Sequence, residues 1–215
     1  MKSLNYKCVI FDCDGVLVDS EAISTQVMVD LLKTVDYHID IEKAIDLFTG
    51  LALKDNFALV EKELGRKLPD DFEETYRALS FEAFQRDLKP IKGVHTLLDK
   101  LAVPFCVASS GPINKIKLNL KVTKLSHYFN ENIFSCYQIN SWKPEPDIFL
   151  HAARTMGFKP EECVVIEDSL PGVTAAKAGG FDVYALENES NKTMLAGVEV
   201  PVVMDMRALE HVLGL

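Results

Sequence analysis

The feature that most constrains the fold is the stretch Cys8-Val9-Ile10-Phe11-Asp12-Cys13-Asp14-Gly15. An unbroken apolar run ends in a carboxylate, a second carboxylate follows two positions later, and a glycine comes next. A run led by β-branched and aromatic side chains predicts a strand buried on both faces, the usual state in a parallel sheet. Asp12 and Asp14 then leave its carboxyl end toward one side, because side chains two apart on an extended chain share a face. Gly15 lets the backbone turn sharply and a ligand come close. Two acids held together are costly unless something positive lies between them, so the pair points to a metal site. A solvated turn is the competing reading, since Asp and Gly are ordinary turn residues. A calcium loop is disfavoured, because Ile23 stands at the twelfth position, where a bidentate Glu is required.

The region 20–88 changes to helical spacing. Ser20 can cap a helix carrying Ile23, Val27, Leu31 and Leu32, and Asp40 can start a second through Ile41, Ala44, Ile45 and Phe48. A third runs from Lys54 through Leu64 and stops at Gly65. Pro69-Asp70-Asp71 starts a fourth, with Asp70 and Glu73 spaced as a capping box. From Lys89 onward, apolar runs at 104–108, 133–135, 163–166 and 181–186 alternate with helix-compatible segments at 93–101, 113–122, 146–156 and 171–178. This alternation predicts an α/β domain with a mostly parallel sheet. The expected division is a core of 1–18 with 89–215 and a helical insert of 19–88, hinged near 16–20 and 86–93.

Open sheets of this kind bind ligands beyond the carboxyl ends of their strands. After the predicted strands come Ser109-Ser110-Gly111-Pro112 and Glu167-Asp168-Ser169-Leu170-Pro171-Gly172, and before the helix at Pro146 comes Trp142-Lys143-Pro144-Glu145. One edge thus gathers Asp12, Asp14, a hydroxyl, a lysine and two further acids. A net charge of −9 argues against nucleic acid and anionic membranes as partners, since both call for a basic surface. The five cysteines are odd in number and lack a CxxC pair, so they read as reduced packing residues of a cytoplasmic protein. The amino terminus does not read as a signal peptide, and no apolar run suits a bilayer span.

In order, the motifs Asp12-x-Asp14-Gly15-Val16-Leu17, Ser109 after an apolar strand, Lys143-Pro144-x-Pro146-Asp147 and Glu167-Asp168-Ser169 with Gly172 resemble those of haloacid dehalogenase superfamily phosphohydrolases. The subgroup is the one with a helical cap that includes β-phosphoglucomutase and small sugar-phosphate phosphatases. Around Gly111-Pro112 and Trp142-Lys143-Pro144 the chain is most similar to bacterial phosphogluconate phosphatases. The resemblance implies a Rossmann-like core with a small all-helical cap inserted after the first strand. It implies that Asp12 attacks phosphorus and becomes an aspartyl phosphate, and that Asp14 protonates the leaving alkoxide and later takes a proton from water. Lys143 would keep Asp12 ionised, while the crowding of acids would raise the proton affinity of Asp14. Ser109, Ser110 and Lys143 would bind the phosphoryl oxygens. Four acids against one lysine call for a divalent cation, and all-oxygen ligation points to Mg²⁺. Its implied ligands are Asp12, the Asp14 carbonyl and Asp168, with Glu167 direct or through water.

The implied substrate is a small phosphorylated metabolite such as 6-phosphogluconate, turned over by a monomer or weak homo-oligomer. Asp14 argues against dehalogenation, because metal-free dehalogenases lack that second acid. A β-phosphoglucomutase activity is the alternative, but Ser24 and Leu53 stand where the mutases carry a histidine and an arginine. A phosphoacceptor signalling module is a remoter alternative, which the length and the helical insert oppose. Specificity is expected from Gly50, Leu51 and Lys54 in the cap, with Lys54 pairing with a substrate carboxylate or hydroxyl or serving only at a helix start. Lys115, Lys117, Lys121 and Lys124 read mostly as a solvated face, with Asn114 and Lys115 near enough to a helix start to touch substrate.

Overall fold

Strand β1 (Cys8–Phe11) has all of its side chains buried, as its unbroken apolar run requires. The computed structural model describes residues 6–48, 53–188 and 190–215. The chain divides into two compact units, 1–19 with 89–215, and 20–88.

The 20–88 unit is helical: α1 (Glu21–Lys33), α2 (Ile41–Phe48), α3 (Leu53–Leu64) and α4 (Phe72–Asp87). Met28, Leu32, Ala44, Val60 and Phe72 form its core, with Phe57 edge-on to both Phe72 and Tyr76. Gly65 at φ +66° ends α3, a conformation that costs a residue with a Cβ. The expected capping box is absent. Helix α4 starts one residue late, after Asp71, whose side chain makes no capping bond. Glu73 instead accepts from Arg77 one turn on at 2.7 Å. Burial of Phe72 sets the phase of that first turn and overrides the local capping preference. Ser20 takes the N-cap position of α1 without a side-chain capping bond.

The other unit continues through α5 (Val94–Lys100), β2 (Phe105–Ser109), α6 (Ile113–Val122), α7 (Ser126–Phe129), β3 (Ile133–Ser135), α8 (Cys136–Ile139) and α9 (Asp147–Met156). Then follow β4 (Cys163–Glu167), α10 (Leu170–Ala178), β5 (Asp182–Leu186), α11 (Lys192–Leu195), β6 (Val202–Val203) and α12 (Met206–Leu213). The sheet is parallel throughout, in the order β3-β2-β1-β4-β5-β6. The chain winds outward from β1 to β3, then crosses back to β4, which places the topological switch point between β1 and β4. Phe11 pairs with both Val107 and Ile166, so the residues after β1, β2 and β4 emerge at one edge.

Elements the sequence reading did not name are short or late. Helices α7, α8 and α11 are single turns and β6 is two residues, too brief for a periodic signal. Helix α12 did carry one, in the spacing of its buried Met206, Leu209 and Leu213. All five cysteines are free and buried. Cys8 lies beside Cys163 across the β1–β4 pairing, at the strand ends remote from Asp12. Among the described residues no helix is long and apolar enough to cross a membrane.

The two backbone passages flanking residues 20–88 lie side by side. Val18 bridges Pro90, Asp19 N donates to Lys89 O at 3.0 Å, and Ile91 N donates to Leu17 O at 3.0 Å.

Candidate active site

Asp12 is the first residue beyond β1, and its backbone N donates to Ile166 O at 2.9 Å, which pins it to the β4 edge. Lys143 reaches this seam from the loop before α9. Its Nζ donates to Asp12 Oδ1 at 2.5 Å and to Glu167 Oε1 at 2.6 Å. The three side chains are at most 9% exposed, and Nζ also lies 4.8 Å from the centre of the Phe149 ring. Burial raises the Asp12 carboxyl, Glu167 and Asp14 raise it further, and the Lys143 charge opposes them. Burial likewise works against the Lys143 charge, but Asp12 and Glu167 outweigh it and hold the ammonium protonated. A buried ion network of this kind survives only where each charge is both paired and hydrogen-bonded.

Glu167 satisfies that condition through its own loop. Its Oε2 accepts from the backbone N of Asp168 and of Ser169 at 2.8 Å each, and from Ser169 Oγ at 2.9 Å. Ser169 caps α10 by accepting from Gly172 N at 3.1 Å. A Cβ at Gly172 would run into the Glu167 carboxylate, so only glycine lets the first turn of α10 lie against it. With Lys143 on one oxygen and three donors on the other, Glu167 is engaged in holding its neighbours.

Asp14 stands in a wetter setting. Lys115 Nζ donates to its Oδ2 at 2.8 Å and Asn119 Nδ2 to its Oδ1 at 3.2 Å, both from α6. Beside the acids expected to crowd Asp14, a lysine also faces it. Gly15 takes φ +74°, and a Cβ there would run into the Asp168 carboxylate, which brings the turn after Asp14 directly against Asp168. Burial pushes the Cys13 thiol well above its usual range, with Asp14 and Asp12 adding to it, so no thiolate joins the acids it separates.

The buried Ser109 ends β2, and its Oγ accepts from Gly111 N at 3.1 Å. Ser135 Oγ donates to Gly111 O at 2.6 Å and fixes the same loop from β3. Ser110 is exposed and accepts from the Cys136 thiol at 3.9 Å.

Direct contacts thus join Asp12, Lys143 and Glu167, while Asp168 lies against Gly15. Among the described residues no group of three His, Cys, Asp or Glu side chains is placed to hold a metal ion, and Lys143 stands between two of the carboxylates expected to do so. Lys54 is exposed in the first turn of α3, in the helical unit. Gly50 and Leu51 lie outside the described residues. Asn114 is exposed, and its Oδ1 accepts from the next residue's backbone N at 2.9 Å.

Sequence reasoning missed Asn119 and Asn191. Asn191 is buried and donates to Asp168 O at 2.8 Å and Leu186 O at 2.9 Å, tying down the Asp168 loop. Asn119 carried a signal: it is a polar residue between Ile116 and Leu120, on the buried face of α6.

Residues 6–180 match the family of haloacid dehalogenase-like hydrolases. The chain belongs to that family, and it is an enzyme of the phosphatase class. It is 35% identical to 6-phosphogluconate phosphatase of Escherichia coli over 179 residues, which cover 83% of this chain and 81% of that protein. A haloacid dehalogenase-like protein from Agrobacterium tumefaciens superposes with a TM-score of 0.85 at 33% identity, over 97% of this chain and 98% of that one. A family hydrolase from Deinococcus radiodurans, crystallised with bound phosphate and sodium, superposes with a TM-score of 0.78 at 28% identity, over 99% and 96% of the two chains.

Proposed function

We propose that the protein is a Mg²⁺-dependent phosphatase of a small sugar phosphate, with 6-phosphogluconate the foremost candidate substrate, and that Asp12 carries the phosphoryl group between two half-reactions. The observation that carries this reading is the buried Asp12 at the switch-point edge, aligned by Lys143, with Asp14 two residues on. Nucleophilic displacement needs an ionised carboxylate; burial and the neighbouring acids hold Asp12 above its ordinary value, and the Lys143 charge limits that rise. In the first half-reaction an Asp12 oxygen bonds to phosphorus as the ester oxygen leaves with its electron pair and takes a proton from Asp14. In the second, Asp14 takes a proton from the water that attacks phosphorus, the bond from phosphorus to the Asp12 oxygen breaks with its electron pair left on the carboxylate, and phosphate is released.

Ser109 Oγ spends an acceptor position on Gly111 N, which leaves its hydroxyl hydrogen for a phosphoryl oxygen. Lys143 and the exposed Ser110 stand ready for the others. Glu167 fits the role of a brace for Lys143 and the Asp168 loop better than that of a direct metal ligand, because both of its oxygens are engaged.

The donor chemistry suits a hard divalent cation, since the Asp12 and Asp168 carboxylates and the Asp14 carbonyl offer oxygen alone, and glycine at 15 lets that turn approach Asp168. Mg²⁺ held there would neutralise the surplus of four acids over Lys143 and Lys115 and draw a dianionic phosphate into the site.

The reading is tested by phosphate release from 6-phosphogluconate, hexose and pentose phosphates, β-glucose 1-phosphate and nucleoside monophosphates, with Mg²⁺ and with EDTA. Mg²⁺-dependent release concentrated on a sugar phosphate supports it. Interconversion of glucose phosphates without release assigns a mutase instead, and turnover of nothing in the panel overturns both.

A further inference from the structure

A solvated helix face explains Lys117, Lys121 and Lys124, which are all exposed, but it does not explain Lys115. The Lys115 side chain is 22% exposed and its ammonium turns inward to Asp14 at 2.8 Å. One helical turn later, Asn119 is fully buried on the apolar face of α6, and its amide nitrogen meets the other Asp14 oxygen at 3.2 Å. Residues four apart on a helix share a face, so α6 offers both donors to one carboxylate. Asn119 Oδ1 has no hydrogen-bond partner at all. Packing alone selects against a buried amide left half satisfied, and Asp14 is what its other half serves. The same place borders the phosphoryl loop: a Cβ at Gly111 would stand 3.5 Å from Lys115 Cδ, 3.6 Å from Ser109 Oγ and 3.8 Å from Asp14 Oδ2.

We propose that Lys115 and Asn119 are positioning residues for Asp14, a two-point clamp that gives each carboxyl oxygen one donor and fixes the group where it delivers its proton to the departing ester oxygen. The inference rests on the phosphatase reading above and deepens it. As the bond between phosphorus and the ester oxygen breaks, its electron pair stays on that oxygen, which takes the Asp14 proton, while Asp12 forms the new bond to phosphorus. The clamp therefore matters in proportion to the leaving group's need for a proton. A sugar alkoxide is strongly basic and needs it; 4-nitrophenolate departs without it.

The test compares kcat/KM for two substrates with Mg²⁺ present: the sugar phosphate that the wild-type protein turns over fastest, and 4-nitrophenyl phosphate. Lys115→Met is expected to lower kcat/KM for the sugar phosphate about 100-fold, the lower end of what general acid catalysis contributes, and to lower it far less for 4-nitrophenyl phosphate. Lys115→Arg, which keeps a charged donor, is expected to restore a large part of the loss. Asn119→Ala is the second variant and should show the same selectivity with a smaller loss, with thermal unfolding reporting on its fold. Equal losses on both substrates overturn the clamp in favour of a role in phosphoryl binding or folding, and no loss on either makes Lys115 a surface lysine. A wild-type protein that releases phosphate from neither substrate overturns the phosphatase reading and the clamp with it, an outcome distinct from the other two.

Discussion

The seam between β1 and β4 and the inner face of α6 each set a lysine on an aspartate, and they do so in opposite surroundings. At the seam, Lys143 and its two carboxylates have almost no exposure, and every oxygen of Glu167 is engaged. On α6, Lys115 and Asp14 keep about a fifth of their side-chain surface in water, and α6 brings a donor to each oxygen. A fully desolvated pair can hardly be opened without stranding a charge, whereas a pair with a solvent face exchanges partners at little cost. The difference suits the two tasks proposed for them. A nucleophile must stay in one place and one charge state, while an acid–base group must change its own.

The largest effect is expected from Asp12→Asn, which keeps the shape of the seam and removes the proposed nucleophile. Phosphate release from every phosphoester should vanish, and turnover surviving in a clean preparation would strike Asp12 from its role. Next comes Lys143→Met, which strands Asp12 and Glu167 in a buried site; urea unfolding should show a loss of about 3–5 kcal/mol. Its activity should fall by on the order of 10²–10³ as phosphoryl stabilisation is lost. A loss no greater than that of Lys115→Met would erase the contrast between the two regions.

That deficit should also depend on pH. Burial raises Asp12 above its ordinary 3.8. An acid raised by folding favours the native state at low pH and withdraws that support as pH climbs from its unfolded value through the raised one. Without Lys143 the raise grows, so the stability lost in Lys143→Met should be smaller near about pH 5 than near about pH 8. Lys143 itself is raised above 10.5, so its own contribution in the wild-type protein is intact throughout that interval. A deficit constant with pH would mean that the seam tolerates Asp12 ionised and alone. Gly172→Ala should cost about 1–3 kcal/mol by overpacking against Glu167, with a fall in kcat if Glu167 braces Lys143. The smallest effect on stability is expected for Lys115→Met, about 0–1 kcal/mol by urea unfolding, because its pair faces water.

The seam was legible in the chain and the clamp was not, for a physical reason. Asp12 and Glu167 each end an apolar run, and parallel strands bring such ends to one edge whatever the details of packing, while Lys143 stands in the Lys-Pro-x-Pro-Asp motif before α9. Lys115 meets Asp14 only because α6 has one rotation about its axis, which its apolar residues set against the sheet; the sequence placed it near a helix start and within reach of substrate, but not on Asp14. Asn119 could have been found as the odd polar residue on that face. The Asp70–Glu73 box shows the opposite failure, a local signal that was read and then overridden by burial of Phe72.

The paired passages at Asp19 and Lys89 have a consequence for how such a chain can change over generations. Because the backbone leaves and re-enters the sheet unit at adjacent points, what lies between them makes almost no demand on the distance its ends must span. Segments of other lengths and shapes can be grafted at that doorway while β1 and β4 keep their register.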